Sequence, residues 1–167
     1  MSEKITLVSE FIRYNDANEL PETDRVLLVA ARKSAHDAYA PYSRFHVGAA
    51  LLLDDGQIIL GNNQENASYS LALCAERVAL FAAGANFPGV AVKAMAITAF
   101  SDEFLIDRPI APCGSCRQVI SEYEHKHKTK IRLILAGVSG SILVADSIEG
   151  LLPMQFNADD LHVKNSR

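Results

Sequence analysis

The sequence predicts an α/β protein, a three-layer α/β/α sandwich around a mixed sheet of about five strands. Three observations carry that reading. Short apolar runs alternate along the chain with longer stretches of helical periodicity. Two of those runs flank Asp54-Asp55-Gly56, a strong hairpin signal. Buried apolar strands separated by helices imply a sheet covered on both faces.

The elements follow in order. Residues 4–14 are rich in β-branched and aromatic types and predict an edge strand, within an N-terminal extension spanning 1–24. A helix opens at Pro21 to Thr23, because Val26, Leu27, Ala30, Ala31, Ala35 and Ala38 recur at helical spacing, and Pro41 ends the pattern. The hairpin pairs His46 to Leu53 with Gln57 to Gly61. Leu71 to Ala85 is an Ala- and Leu-rich helix, and Val92 to Ala99 a buried strand. Cys113 to His125 is the next helix, with Gln118 and Glu122 on its wetter side. Ile131 to Ala136 and Ser141 to Val144 are strands separated by Gly137 and Gly140. Residues 147–152 form a short helix stopped by Pro153, and the polar carboxyl end reads as a surface strap. Residues 25–167 read as a single domain.

The chain has 167 residues, 49% of them apolar and 22% charged, a globular balance that excludes disorder as the main state. A net charge of −4 with no basic patch argues against a nucleic-acid partner. No apolar run approaches the roughly 20 residues of a membrane span, and no export signal is evident, so the sequence reads as cytoplasmic.

Three cysteines, Cys74, Cys113 and Cys116, are an odd set for a disulfide framework. Cys113 and Cys116 stand at i and i+3 at a predicted helix start, where free N–H groups and the helix dipole favour thiolates. Cys74 opens another helix and can supply a third sulfur by the same physics. Three thiolates in a reducing compartment point to zinc. With three protein ligands the fourth position is open to water, whose pKa zinc lowers to about 7. Glu76 stands two residues after Cys74, where a first-turn carboxylate can face the same cavity and move a proton. A redox pair and a closed structural site, with His36, His46, His125, His127 or His162 as fourth ligand, are the competing readings.

Cys74-Ala-Glu76 followed by Pro112-Cys-Gly-Ser-Cys116 resembles the zinc deaminase signature, with Cys in place of His. Tyr39 to Leu51, Gly61 to Tyr69 and Leu151 to Phe156 resemble the other sequence blocks of the small, homotetrameric, three-cysteine cytidine deaminases. The resemblance implies one zinc per subunit on Cys74, Cys113 and Cys116, with Glu76 as the proton shuttle. It implies a nucleoside substrate, cytidine or 2′-deoxycytidine. Asn63 and Glu65 would bind the ribose, Glu65 at the 3′-hydroxyl, and Phe45 would stack on the pyrimidine. Backbone around Ala75 would border the base. Ala67, Tyr69 and Phe156 match positions that reach a neighbouring subunit's pocket. Three thiolates and Zn²⁺ sum to −1, which Arg77 can temper, with Arg117 a weaker candidate. Segment Ser101 to Ile110 reads as a loop over the site. A polymer deaminase, an antibiotic-nucleoside deaminase and a zinc-stabilised binding module are the alternatives. The first wants a basic groove that the sequence does not offer.

Overall fold

The computed structural model describes residues 2–161. His162 and the end of the expected carboxyl strap lie outside the described residues. Six strands form one sheet: β1 (Ile12–Tyr14), β2 (Phe45–Leu53), β3 (Ile58–Asn62), β4 (Val92–Ser101), β5 (Arg132–Leu135) and β6 (Ile142–Ala145). Their spatial order is β1-β6-β5-β4-β2-β3. Among the strands of the described residues only β4 and β5 run parallel, joined by the helix α3 (Gly114–His127), and the other strand pairings are antiparallel. The sheet is therefore mixed, as the sequence predicts, with one strand more than the expected five.

Period-two alternation sends the strand side chains into two separate cores. Ala49, Leu51, Met95, Ile97, Leu133 and Leu135 face α2 (Ala75–Asn86) and α3. Ala50, Ala94, Ala96, Ile134 and Val144 face α1 (Glu22–Ala35) on the opposite side. Each fully buried Leu, Ile, Val or Met side chain contributes about 1.5–3 kcal/mol. The layers are thus α1, sheet, then α2 with α3. Arg132 ties α1 to the sheet through Asp24, Nε to Oδ2 at 2.9 Å, and reaches Asp146 at 2.6 Å.

Several boundaries differ from the sequence reading. Of residues 4–14 only Ile12–Tyr14 pair, against Val144 to Ile142, because the short β6 offers no longer partner. Ile5 and Val8 are instead exposed. Helix α1 ends at Ala35, so Ala38 falls in a turn, and the buried stripe is Leu27, Leu28, Ala31 and Ala35. Val26 points outward. Helix α2 begins at Ala75 rather than Leu71: Leu73 is held extended by paired amide–carbonyl bonds with Gln64, both 2.9 Å. The hairpin turns at Gly56, whose φ of +86° suits a residue without a side chain. Segment 101–110 is anchored midway, where Ile106 is buried and its carbonyl accepts from the Val138 amide at 3.0 Å.

Candidate metal centre and substrate pocket

Two helix starts build the centre. Cys74 has extended backbone, φ −73° and ψ 152°, and immediately precedes α2. Cys113 does the same for α3, with φ −67° and ψ 168°. Cys116 lies in the first turn of α3 and is buried. The three Sγ atoms all lie within 4.8 Å of one another, with Cys74 and Cys113 3.8 Å apart. A tetrahedral zinc with bonds of about 2.3 Å spaces its sulfurs by about 3.8 Å, so the donor set fits that ion in number, chemistry and span. No histidine joins the cluster among the described residues.

Helix α2 approaches the sheet closely enough to need Gly61. A Cβ there would lie 2.4 Å from the Ala75 carbonyl oxygen. The two helices are also joined further along, where the Tyr123 hydroxyl donates to the Leu80 carbonyl at 2.7 Å. Gly84 leaves room for that hydroxyl, which would lie 2.3 Å from a Cβ. Arg117 holds the turn before Cys113, its Nε donating to the Pro112 carbonyl at 2.9 Å and its Nη1 to Leu151 at 2.8 Å. Its guanidinium therefore serves the backbone, and Arg77 is the cation at the sulfurs. Arg77 Nη2 donates to the Ala72 carbonyl at 3.4 Å and lies 3.7 Å from Cys74 Sγ.

Charge concentrates on Cys74. The Cys116 thiol hydrogen-bonds to it and, against the effect of burial, Arg77 adds its own bond, bringing the Cys74 thiol down to about 5. Cys116 is pushed up, first by that same bond and then by burial. Arg77 is raised, chiefly by its bond to Cys74. Burial pushes the Glu76 carboxyl up, and the Cys74 charge adds to it.

A cavity of about 440 Å³ opens beside the sulfurs. It brings together Phe45, Asn63, Glu65, Cys74, Glu76 and Cys113. Asn63 spends part of its amide on β2: Oδ1 accepts from the Val47 amide at 2.7 Å and Nδ2 donates to the Phe45 carbonyl at 2.9 Å. Glu65 accepts from the Tyr42 amide at 2.9 Å, the Ser43 amide at 3.3 Å and the Ser43 hydroxyl. Burial opposes ionisation of Glu65, yet these bonds hold its carboxyl below the ordinary value. Ala75 is buried and does not line the cavity. Ala67, Tyr69 and Phe156 lie outside it and are exposed in the single chain. Sequence reasoning missed Ser43, which stands inside the Tyr39 to Leu51 block, and the apolar wall of Val47, Ile97 and Ile110, which reads as ordinary core or loop.

A mixed sheet with two helix starts converging three thiols beside a buried carboxylate is the arrangement expected of a zinc-dependent hydrolase. Residues 21–130 match the cytidine and deoxycytidylate deaminase zinc-binding region. A cytidine deaminase of Halalkalibacterium halodurans is 42% identical over 140 residues, covering 83% of this chain and 98% of that relative. One from Mycobacterium tuberculosis is 38% identical over 149 residues, covering 85% and 96%. The crystal structure of cytidine deaminase from Burkholderia pseudomallei superposes with a TM-score of 0.69 at 42% identity, covering 82% of this chain and all of that one. The chain belongs to the cytidine and deoxycytidylate deaminase family, whose cofactor is zinc.

Proposed function

We propose that this chain hydrolyses cytidine and 2′-deoxycytidine to uridine and 2′-deoxyuridine, releasing ammonia, as a step of pyrimidine salvage. The observation that carries the reading is a buried carboxylate, Glu76, beside three converging thiols in a cavity that also holds Asn63 and Glu65. Cys74, Cys113 and Cys116 would hold the zinc, which when bound would supply Lewis acidity and lower the pKa of water.

Phe45 stacks on the pyrimidine and orients C4 toward the sulfurs. Cys74 and Glu76, on either side of the buried Ala75, border the base. Asn63, through the N–H left free by its bonds to β2, and Glu65 take the ribose hydroxyls, Glu65 at the 3′ position. As water adds at C4, the Glu76 carboxylate receives its proton and delivers it to ring N3. Glu76 then takes the remaining proton from the new C4 hydroxyl and passes it to the amino group, so that ammonia leaves as the C4 carbonyl forms. Burial keeps bulk water from competing for that proton. Arg77 offsets the negative charge gathered on the sulfurs.

We further infer a homotetramer in which Ala67, Tyr69 and Phe156 of neighbouring copies complete each pocket, in a cytoplasmic enzyme. Their exposure in the single chain supports this. No helix of the described residues is long and apolar enough to cross a membrane. Residues 1–24 are read as an extension and 25–167 as the one deaminase domain. The test is loss of the cytosine absorbance on adding the zinc-loaded protein to cytidine, and loss of that activity after chelation. No absorbance change with the zinc-loaded protein would refute the assignment.

A further inference from the structure

On the α1 side of the sheet a second cavity, of about 600 Å³, opens between the last turn of α1, the end of β4 and the segment after it, with Val138 on its wall. That volume is ordinary for a small-molecule site. The walls are mainly apolar, and Phe100 gives them an aromatic corner, its ring centroid 4.9 Å from that of His36. Of the charged groups lining it, both acids are already paired. Asp102 lies 3.2 Å from His46 Nε2, and Glu103 lies 3.6 Å from Arg44. Arg32 is different. Among the described residues it has no ion pair and no hydrogen bond, and its Nε is screened from solvent without a partner. An N–H withdrawn from water and left unpaired is unfavourable until an acceptor arrives. The charged lining group left without a hydrogen bond or ion pair among the described residues is therefore the Arg32 guanidinium, and the surface around it is mainly apolar.

We propose that this cavity is a second ligand site, for a small amphipathic anion. A ring-bearing apolar body fills the His36–Phe100 corner, and one compact oxyanion group, carboxylate or sulfonate, pairs with Arg32. A cation would have to compete with His46 and Arg44 for Asp102 and Glu103, whereas an anion meets an Arg32 that has no partner among the described residues. One aromatic pair links the site to the substrate pocket. Phe104 lines the second cavity, and its ring centroid stands 6.3 Å from that of Phe45. An occupant that fixes Phe104 thereby acts on Phe45. This coupling, unlike the binding itself, rests on the function proposed above.

The zinc-loaded full chain is titrated with 8-anilinonaphthalene-1-sulfonate, followed by fluorescence. N-phenyl-1-naphthylamine serves as the uncharged counterpart. The wild type shows one saturable site per chain for the anionic probe. Arg32→Gln weakens it at least about tenfold, or about 1.4 kcal/mol, and leaves the neutral probe unaffected. Val138→Trp, which fills the cavity, removes both, and Arg32→Gln keeps the test decisive if that variant fails to fold. At saturating anionic probe the KM for cytidine shifts in the wild type and stays constant in Arg32→Gln. Absence of a saturable wild-type site, equal affinity in Arg32→Gln, survival in a folded Val138→Trp, or displacement by uridine would each overturn the site. A wild-type KM that ignores the bound probe would overturn the coupling through Phe104.

Discussion

Substituting Gly61 by alanine tests how the fold delivers the first sulfur to the centre. The added Cβ would lie 2.4 Å from the Ala75 carbonyl oxygen and 2.6 Å from the Ala79 amide nitrogen, where ordinary contact begins near 3.4 Å. Both are backbone atoms, so no side chain can swing aside. The first turn of α2 must retreat by about 1 Å, a shift that close-packed interiors do not absorb locally. Cys74 directly precedes that turn and moves with it. Functional constellations tolerate about 0.5 Å of error, and supporting changes around metal ligands cost about 10–100-fold in affinity. Gly61→Ala is expected to weaken zinc binding by about that factor, measured by competition with a chromophoric chelator. Overpacking adds about 1–3 kcal/mol of instability, which in a chain of this size lowers Tm by roughly 2–12 °C. Gly56→Ala is the control, since its Cβ meets nothing within 4 Å and only the backbone at φ +86° is strained. It should lower Tm and leave zinc affinity alone. A destabilised Gly61→Ala protein with unaltered zinc affinity would refute the link between this crossing and the ligand geometry.

Glu76→Gln is expected to bind zinc normally and lose at least about 100-fold in kcat for cytidine; near-normal turnover would remove Glu76 from proton transfer. Ser43→Ala removes the hydroxyl bond to Glu65. That carboxyl is held below its ordinary value of 4.5, so the bond stabilises the fold fully above that pH and is lost as the pH falls through the lower folded value. The variant should therefore melt below the wild type at pH 7, the two curves converging on acidification; a gap that widens in acid contradicts the assignment. In zinc-stripped protein the exposed Cys113 should react with a thiol reagent well before the buried Cys116. Mass mapping of the first labelled peptide checks this, and modification of Cys116 first would contradict the burial order.

The centre was legible in the sequence because its chemistry is concentrated. All three cysteines serve it, and each of its two segments opens a helix, a local property that short-range sequence reports well. The sheet was legible because apolar runs and one Asp-Gly turn are also local. What escaped detection depends on partners far along the chain. Residues 4–11 have the composition of a strand, but β6 supplies partners for only three residues. Leu71 to Cys74 look helical, but Gln64 offers Leu73 two backbone bonds that a helix would forfeit. Arg117 carried the same charge signal as Arg77 beside a cysteine. Only the approach of Leu151 from 34 positions away reveals that its guanidinium is spent on carbonyls. Nothing in the sequence singles out Arg32, and its missing partner is visible only in three dimensions.

The bond from Tyr123 to the Leu80 carbonyl gives the sulfur cage a second fastening, about two turns beyond Cys116. The helix starts cannot spread by pivoting freely while that distant latch holds. A latch made without the ion favours a cage already close to its final span, which would leave less ordering entropy to spend at capture. Escape of the ion carries the opposite burden, since the helices must gape against a latch that never touches it. A tyrosine outside the pocket would thereby help to set how long the ion stays.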